Sequence, residues 1–100
     1  MKLGRQCKCG PFKYRIEATK EAMAHLESQD CYGIVNHHQR VMWIRPNLTL
    51  QQLLVTVIHE GLHIVDRVYL NEKMGEAQVS VMANGLAQLL ESLGFELTYE

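Results

Sequence analysis

A long run of apolar residues with helical spacing, over residues 50–69, constrains this chain more than any other feature. At about 100° per residue, its apolar side chains cover most of the circumference of a helix. A helix that is apolar over so much of its surface belongs in the interior of a fold. We therefore expect a central, buried helix with Thr49 or Asn47 as its N-cap. Its apolar residues are Leu50, Leu53, Leu54, Val57, Ile58, Gly61, Leu62, Ile64, Val65 and Val68.

One narrow polar stripe runs along this helix and contains both of its histidines. His59 and His63 are one turn apart, so both imidazoles can reach one zinc ion. Glu60 projects beside them, where it can take a proton from water bound to the zinc. This is the His-Glu-x-x-His arrangement. A hydrogen-bonded histidine pair without metal is the competing interpretation, but the apolar setting, costly for unpartnered polar groups, favours metal binding. The stripe consists of Gln52, Thr56, His59, Glu60, His63, Asp66 and Arg67.

Glu76 is the candidate for a third metal ligand, because catalytic zinc usually has three protein ligands. It begins a second predicted helix, over residues 76–93, and lies at the margin of the expected buried face. An acid that merely stabilises the helix dipole is the alternative. Asp66 is the rival ligand, although we expect it to orient a ligand or to pair with a surface cation such as Arg67. The expected buried face consists of Val79, Met82, Ala83, Leu86, Leu89, Leu90 and Leu93.

The rest of the chain predicts a small α+β domain. Residues 1–11 are polar and are expected to be an irregular lead-in. Residues 12–18 alternate as a half-buried strand does, and Thr19 is placed to cap a short helix over residues 20–28. Residues 31–45 contain two β-rich runs around a polar break, which predicts a hairpin. We expect one domain over residues 1–100, with a small antiparallel sheet or hairpin packed on the two long helices.

Composition excludes several classes of function. The net charge is −1 and no basic block occurs, so we expect no nucleic-acid partner. No apolar stretch is long enough to cross a bilayer and no secretory signal is visible, so we expect a cytoplasmic protein without a membrane partner. Cys7, Cys9 and Cys31 are an odd count, which favours free thiols over a disulfide framework or a second metal site.

Two pairs of residues are weaker candidates for the site. His37 and His38 lie at the predicted hairpin turn, where we expect solvated side chains, with oxyanion stabilisation as the alternative. Tyr32 and Tyr69 could also donate a hydrogen bond to an oxyanion, but tyrosines of this kind more often pack at the edge of a core.

The stretch Thr56-Val-Ile-His-Glu-Gly-Leu-His-Ile-Val, followed by Gly75-Glu-Ala, resembles the zincin metallopeptidases. It is most similar to the gluzincin-like branch, whose third ligand is a glutamate on the next helix, and to minimal phage- or prophage-type proteins. The resemblance implies a minimal zincin-like domain with one Zn²⁺ per chain, bound by His59, His63 and Glu76. It also implies a peptide or protein substrate that adds as a strand to residues 41–45, the expected sheet edge beside the metal helix.

Two functions follow from these observations. The first is a zinc-dependent hydrolase, a metallopeptidase in which Glu60 assists the attack of zinc-bound water. The alternative is a non-catalytic, zinc-stabilised binding or regulatory module of phage or prophage origin. A structural zinc site does not require a glutamate beside its first histidine, so Glu60 favours catalysis. A metal-free structural protein would require the motif to be accidental.

Overall fold

Three helices and four strands make up the computed structural model, which describes residues 1–100. The α+β class is therefore confirmed. None of the helices is long and apolar enough to cross a bilayer. In chain order the elements are β1 (Gln6–Cys9), β2 (Phe12–Glu17), α1 (Lys20–Ser28), β3 (Gly33–Asn36), β4 (Val41–Ile44), α2 (Leu50–Tyr69) and α3 (Glu76–Ser92).

The sheet is mixed, so the prediction of an antiparallel sheet is only partly correct. Its strand order is β1-β2-β4-β3. Two antiparallel hairpins, β1–β2 and β3–β4, lie side by side and are joined by parallel pairing of β2 with β4. The β3–β4 hairpin confirms the sequence prediction. Local alternation predicts each hairpin, but the pairing between hairpins depends on α1, which packs on β4 and carries the chain to the far edge of the sheet.

The first eleven residues are not an irregular lead-in, because Gln6–Cys9 forms β1 and pairs with β2. Its alternation is only four residues long, with half-buried Cys7 and Cys9 as the inward side chains. A strand this short, with cysteines in the apolar positions, gives a weak periodic signal. Gly10 makes the turn into β2 with a φ of +58°, in the left-handed region that glycine tolerates best.

The edge of the sheet beside α2 is β3, and the prediction that residues 41–45 form this edge is wrong. β4 lies between β2 and β3, and its Val41, Met42 and Ile44 are almost fully buried. Such a continuous apolar run is typical of a strand covered on both faces. β3 is half-buried along its length and packs on α2. A substrate that pairs with this sheet beside α2 would therefore meet β3.

The two long helices begin where the sequence predicts. Thr49 and Gln52 form a capping box at the start of α2, which satisfies two backbone N–H groups that the helix leaves unpaired. Thr19 caps α1 by accepting a hydrogen bond from the backbone of Ala22. α2 contacts α3, β1, β3 and β4, so it is the central helix of the fold.

The buried face of α3 is narrower than predicted and rotated toward its small residues. Val79, Ala83 and Ala87, spaced one turn apart, are at most 2% exposed. Met82, Leu86, Leu89 and Leu93 were expected in the core but are 37–65% exposed. Small side chains let two helices approach closely. The helical wheel ranks residues by hydrophobicity, so it predicted that the larger residues would make the contact. α3 therefore packs on α2 through only part of its apolar surface.

Gly33 sets the spacing between β3 and α2. A Cβ atom at this position would lie 2.6 Å from Cγ2 of Thr56 and 3.2 Å from Cδ1 of Ile44. We expect Gly33→Ala to lower the free energy of unfolding by about 1–3 kcal/mol, because β3 and α2 must separate. Gly85→Ala is the matched control, since a Cβ there meets nothing within 4 Å. In a helix interior that change should stabilise by about 0.5–1 kcal/mol. Urea unfolding of both variants tests the prediction, and equal midpoints would contradict it.

Candidate metal centre

Two histidines on adjacent turns of α2 form the base of the site. Their Nε2 atoms are 3.2 Å apart, and their ring centroids are 4.9 Å apart. Both side chains are mostly buried, with 20% of His59 and 26% of His63 exposed. This pairing follows from helix geometry, in which residues four apart lie on the same face. The structure thus brings the two nitrogens close enough to share one ion.

Glu76, the first residue of α3, brings a carboxylate to the same point. Its Oε1 lies 2.7 Å from Nε2 of His59, and its Oε2 lies 2.9 Å from Nε2 of His63. These are the only three residues of the His, Cys, Asp and Glu types whose ligand atoms cluster in a way that could hold a metal ion, all within 4.8 Å of one another. The grouping expected from the sequence is present in the structure.

The three donors fit a tetrahedral ion such as zinc. At Zn–N and Zn–O distances near 2.0–2.2 Å, tetrahedral ligand atoms lie about 3.3–3.5 Å apart. The two imidazole nitrogens, at 3.2 Å, are already close to this separation. The carboxylate oxygens lie nearer to the nitrogens and would move outward by about half an ångström to meet the same bond lengths. The Glu76 side chain is 68% exposed, so it has room for this movement.

Asp66 positions the loop that delivers Glu76. It is 4% exposed, and its Oδ1 accepts a hydrogen bond from the backbone of Met74 at 3.1 Å. Its backbone carbonyl accepts the N–H groups of Leu70 and Glu72, each at 3.0 Å. Two consecutive residues of this loop, Asn71 and Glu72, have positive φ angles, an uncommon conformation for non-glycine residues that lets the chain reverse tightly. The hydrogen bonds of Asp66 hold this turn in place.

The expected pairing of Asp66 with Arg67 does not occur. Arg67 instead forms an ion pair with Glu72 at 2.8 Å, on the exposed side of the loop. Asp66 points inward because it lies about two turns beyond His59 on α2, where the loop closes over the helix. It is also outside the group of three that could bind a metal. A carboxylate in a largely apolar helix is costly without a partner. This was the feature of the sequence that indicated a buried hydrogen bond for Asp66.

Glu60 lies beside the metal-binding group without belonging to it. Its Oε2 is 4.0 Å from Nε2 of His59, and the residue is 8% exposed. Burial raises the pKa of the Glu60 carboxyl above its ordinary value, and the positive charge that His59 and His63 can carry acts in the opposite direction. The nearby backbone N–H of Val35 also favours the charged form and so lowers the pKa of Glu60 slightly. Glu60 is thus a buried carboxyl next to the two histidines.

An open cavity over α2 contains all four of these side chains. It is bounded on one side by residues 31–35, which include most of β3, and on the other by α2. Tyr32, Cys31 and His37 also line it. Tyr32 is half exposed, and its hydroxyl meets the side chain of Gln52 at 3.5 Å. No feature of the sequence indicated that Cys31 would line this cavity.

Two of the remaining candidates, His38 and Tyr69, do not line this cavity. His38 is exposed at the hairpin turn, as expected, while its neighbour His37 is half-buried and faces the cavity. Tyr69 is 65% exposed and lies near Gly10. All three cysteines are free thiols, which confirms the expectation, and no second metal-binding group includes them.

Comparison with known proteins adds no relative. No protein-family model, no curated protein and no solved structure matches this chain. The resemblance to the zincins therefore remains a hypothesis based on the motif.

Removing the Asp66 carboxylate should destabilise the loop before α3. In Asp66→Ala the N–H of half-buried Met74 loses its charged acceptor, which we expect to cost about 1–3 kcal/mol in the free energy of unfolding. Asp66→Asn keeps an acceptor oxygen and should cost less. The matched control is Arg67→Ala, which removes an exposed ion pair next in sequence and should change stability little. Denaturant unfolding, together with hydrogen exchange of the Met74 amide, measures the effect. Unchanged protection of that amide would contradict it.

Proposed function

We propose that this chain is a zinc-dependent hydrolase, a metallopeptidase of the zincin type that acts on a peptide or protein. The observation that carries the proposal is the convergence of Glu76 on the histidine pair, with Glu60 adjacent but outside the ligand group. Three ligands from the protein leave one position of a tetrahedral ion for water or substrate, which is the arrangement of catalytic zinc. One ion per chain follows from the single group of ligands.

Zinc is the metal that the donors favour. Two imidazole nitrogens and one carboxylate oxygen form a borderline set that suits a tetrahedral Zn²⁺ ion, whereas magnesium and calcium prefer oxygen ligands alone. When bound, the ion would supply Lewis-acid activation of water and of the substrate carbonyl. His59, His63 and Glu76 would hold it.

Glu60 would act as the general base and then as the general acid. Its carboxylate would take a proton from the attacking water and transfer it to the leaving nitrogen. Burial between α2 and β3 holds this carboxylate beside the ligand histidines. A base fixed in this way needs little rearrangement when the water attacks.

The outer edge of β3 would bind the substrate in an extended conformation. The backbone N–H of Arg45 donates to the carbonyl of Tyr32 at 2.9 Å, which makes this a hydrogen-bonded pair of the β3–β4 ladder. Because such pairs alternate, the backbone groups of Gly33 and Val35 are directed to the open edge. This edge borders the cavity that contains the proposed metal centre. A peptide added as a strand there would run past Glu60.

A second candidate is a non-catalytic module in which zinc holds the helices together. It is supported by the contact of α3 with α2, in which Val79, Ala83 and Ala87 are buried while much of the apolar surface of α3 stays exposed. A metal held by His59, His63 and Glu76 would tie the start of α3 to α2 and strengthen this contact. Zinc bound at one ion per chain, without hydrolysis of a broad peptide pool, would favour this candidate.

Mutation should distinguish the role of the general base in hydrolysis from the role of the ligands in zinc binding. We expect Glu60→Gln to retain one zinc per chain and to lose at least about 100-fold in peptide hydrolysis, because a general base contributes about 10²–10⁴-fold. Zinc content by atomic spectroscopy and cleavage of a mixed peptide library, in the same samples, test this. Wild-type activity in the variant would contradict the role of Glu60.

Glu76→Ala should weaken zinc binding. We expect at least about a tenfold loss of affinity, since even partners that only orient ligands contribute 10–100-fold. The matched control is Glu72→Ala, which removes an exposed acid of the same loop outside the ligand group. Competition with a chromogenic chelator measures both affinities. Equal affinities for wild type and Glu76→Ala would exclude this carboxylate as a ligand.

Zinc should stabilise the folded chain. At a free concentration 100 times the dissociation constant, we expect a gain of about 2.7 kcal/mol in the free energy of unfolding. Thermal unfolding with and without zinc measures the gain, and a chelator should reverse it. His59→Ala is the control that should show no gain. A melting temperature that zinc leaves unchanged would contradict binding to the folded state.

A further inference from the structure

A hydrogen bond between Tyr14 and His37 joins the sheet to the cavity over α2. The Tyr14 hydroxyl lies 2.9 Å from Nδ1 of His37, and the two rings meet edge to face, with an interplanar angle of 88°. Tyr14 is on β2 and is 3% exposed, so it is part of the core. His37 follows β3 directly and is half-buried. A core residue thus holds a histidine at the cavity wall.

This contact determines which nitrogen of His37 carries the proton. The Tyr14 hydroxyl has no other hydrogen-bond partner in the protein. A buried hydroxyl that donates to nothing is costly, so the favoured arrangement has Tyr14 donating and Nδ1 accepting. The imidazole proton is then on Nε2. Burial lowers the pKa of His37, and the charge of Arg67 acts in the same direction, which favours the neutral ring.

The Nε2–H group of His37 has no partner in the protein. No hydrogen bond to this atom is present, although the ring lines the cavity together with His59, Glu60, His63 and Glu76. The ring is held through Nδ1, on the side of the core, which leaves Nε2 as its free polar atom. Its neighbour His38 is exposed and does not line the cavity. His37 is therefore a neutral donor beside a cluster of acceptor groups.

We propose that His37 donates a hydrogen bond through Nε2–H to an anionic oxygen of the substrate during hydrolysis, and that Tyr14 is its positioning residue. This inference rests on the proposed function. As water attacks a carbonyl, negative charge develops on the carbonyl oxygen, and a donor fixed beforehand stabilises it. Such a donor would add to the stabilisation that the bound ion would give this oxygen.

The first test is the tautomer of His37, which requires neither metal nor substrate. In nitrogen-15 spectra of the metal-free protein, we expect His37 to carry its proton on Nε2 and to have an unprotonated Nδ1. Tyr14→Phe should convert this single tautomer into a mixture. A proton on Nδ1 in the wild type would overturn the inference. Loss of the fold in Tyr14→Phe would not affect this measurement, because the wild-type spectrum alone decides it.

The second test is the binding of acetohydroxamate, a small anionic zinc ligand, to the zinc-loaded protein. We expect His37→Ala to weaken this binding at least tenfold while zinc content stays at the wild-type level. His37→Gln, which retains an N–H donor, should recover part of the loss. His38→Ala is the matched control and should bind as the wild type does. Equal binding by wild type and His37→Ala would overturn the inference.

Hydrolysis provides a third readout that separates donation to the transition state from a structural role. We expect His37→Ala to lower kcat by about 10²–10³-fold, with a much smaller effect on KM, because the donor acts mainly in the transition state. If His37→Ala changed neither zinc binding nor hydrolysis, this inference would be overturned and the proposed function would stand. A wild type that binds no zinc would overturn the proposed function, and the role of His37 with it.

Discussion

The polar stripe of α2 is the constraint on which the rest of the structure depends. The helix is central and largely apolar, so each polar group that it buries needs a partner from another element. Glu60 lies close to the backbone of Val35 on β3, and Asp66 obtains a partner from the loop before α3. His59 and His63 obtain theirs from the first residue of α3. The positions of β3, the loop and α3 are thus tied to successive turns of one helix.

The parts of the fold that depend on local pattern could be predicted from the sequence. α2 and its Thr49 cap, the start of α3, and the β3–β4 hairpin all follow from periodicity and capping within short segments. The strand order could not be predicted in this way, because pairing between β2 and β4 joins segments separated by α1. The buried face of α3 was misplaced because close packing through Ala83 and Ala87 depends on shape, which hydrophobicity does not encode.

In the candidate site, too, only the features that depend on local pattern could be predicted. His59, Glu60 and His63 were identified because a helix places residues four apart together, and Glu76 because it begins the next helix. The role of Asp66 in the loop was not predicted, since its partner is a backbone N–H group, which any residue but proline could supply. The Tyr14–His37 contact joins residues that are 23 positions apart, one on β2 and the other in the turn after β3. Only the folded sheet brings them to one cavity.

The unequal exposure of the three proposed ligands has a consequence for the kinetics of metal exchange. The histidines are mostly buried on a rigid helix, whereas the Glu76 side chain is 68% exposed at the end of a loop. A chelator or an incoming ion would therefore contact the Glu76 carboxylate first. Release of the bound ion would begin when this side chain moves away from the two histidines. The lifetime of the bound ion would then follow local opening of the loop that Asp66 closes. Equilibrium affinity, in contrast, would depend on all three ligands.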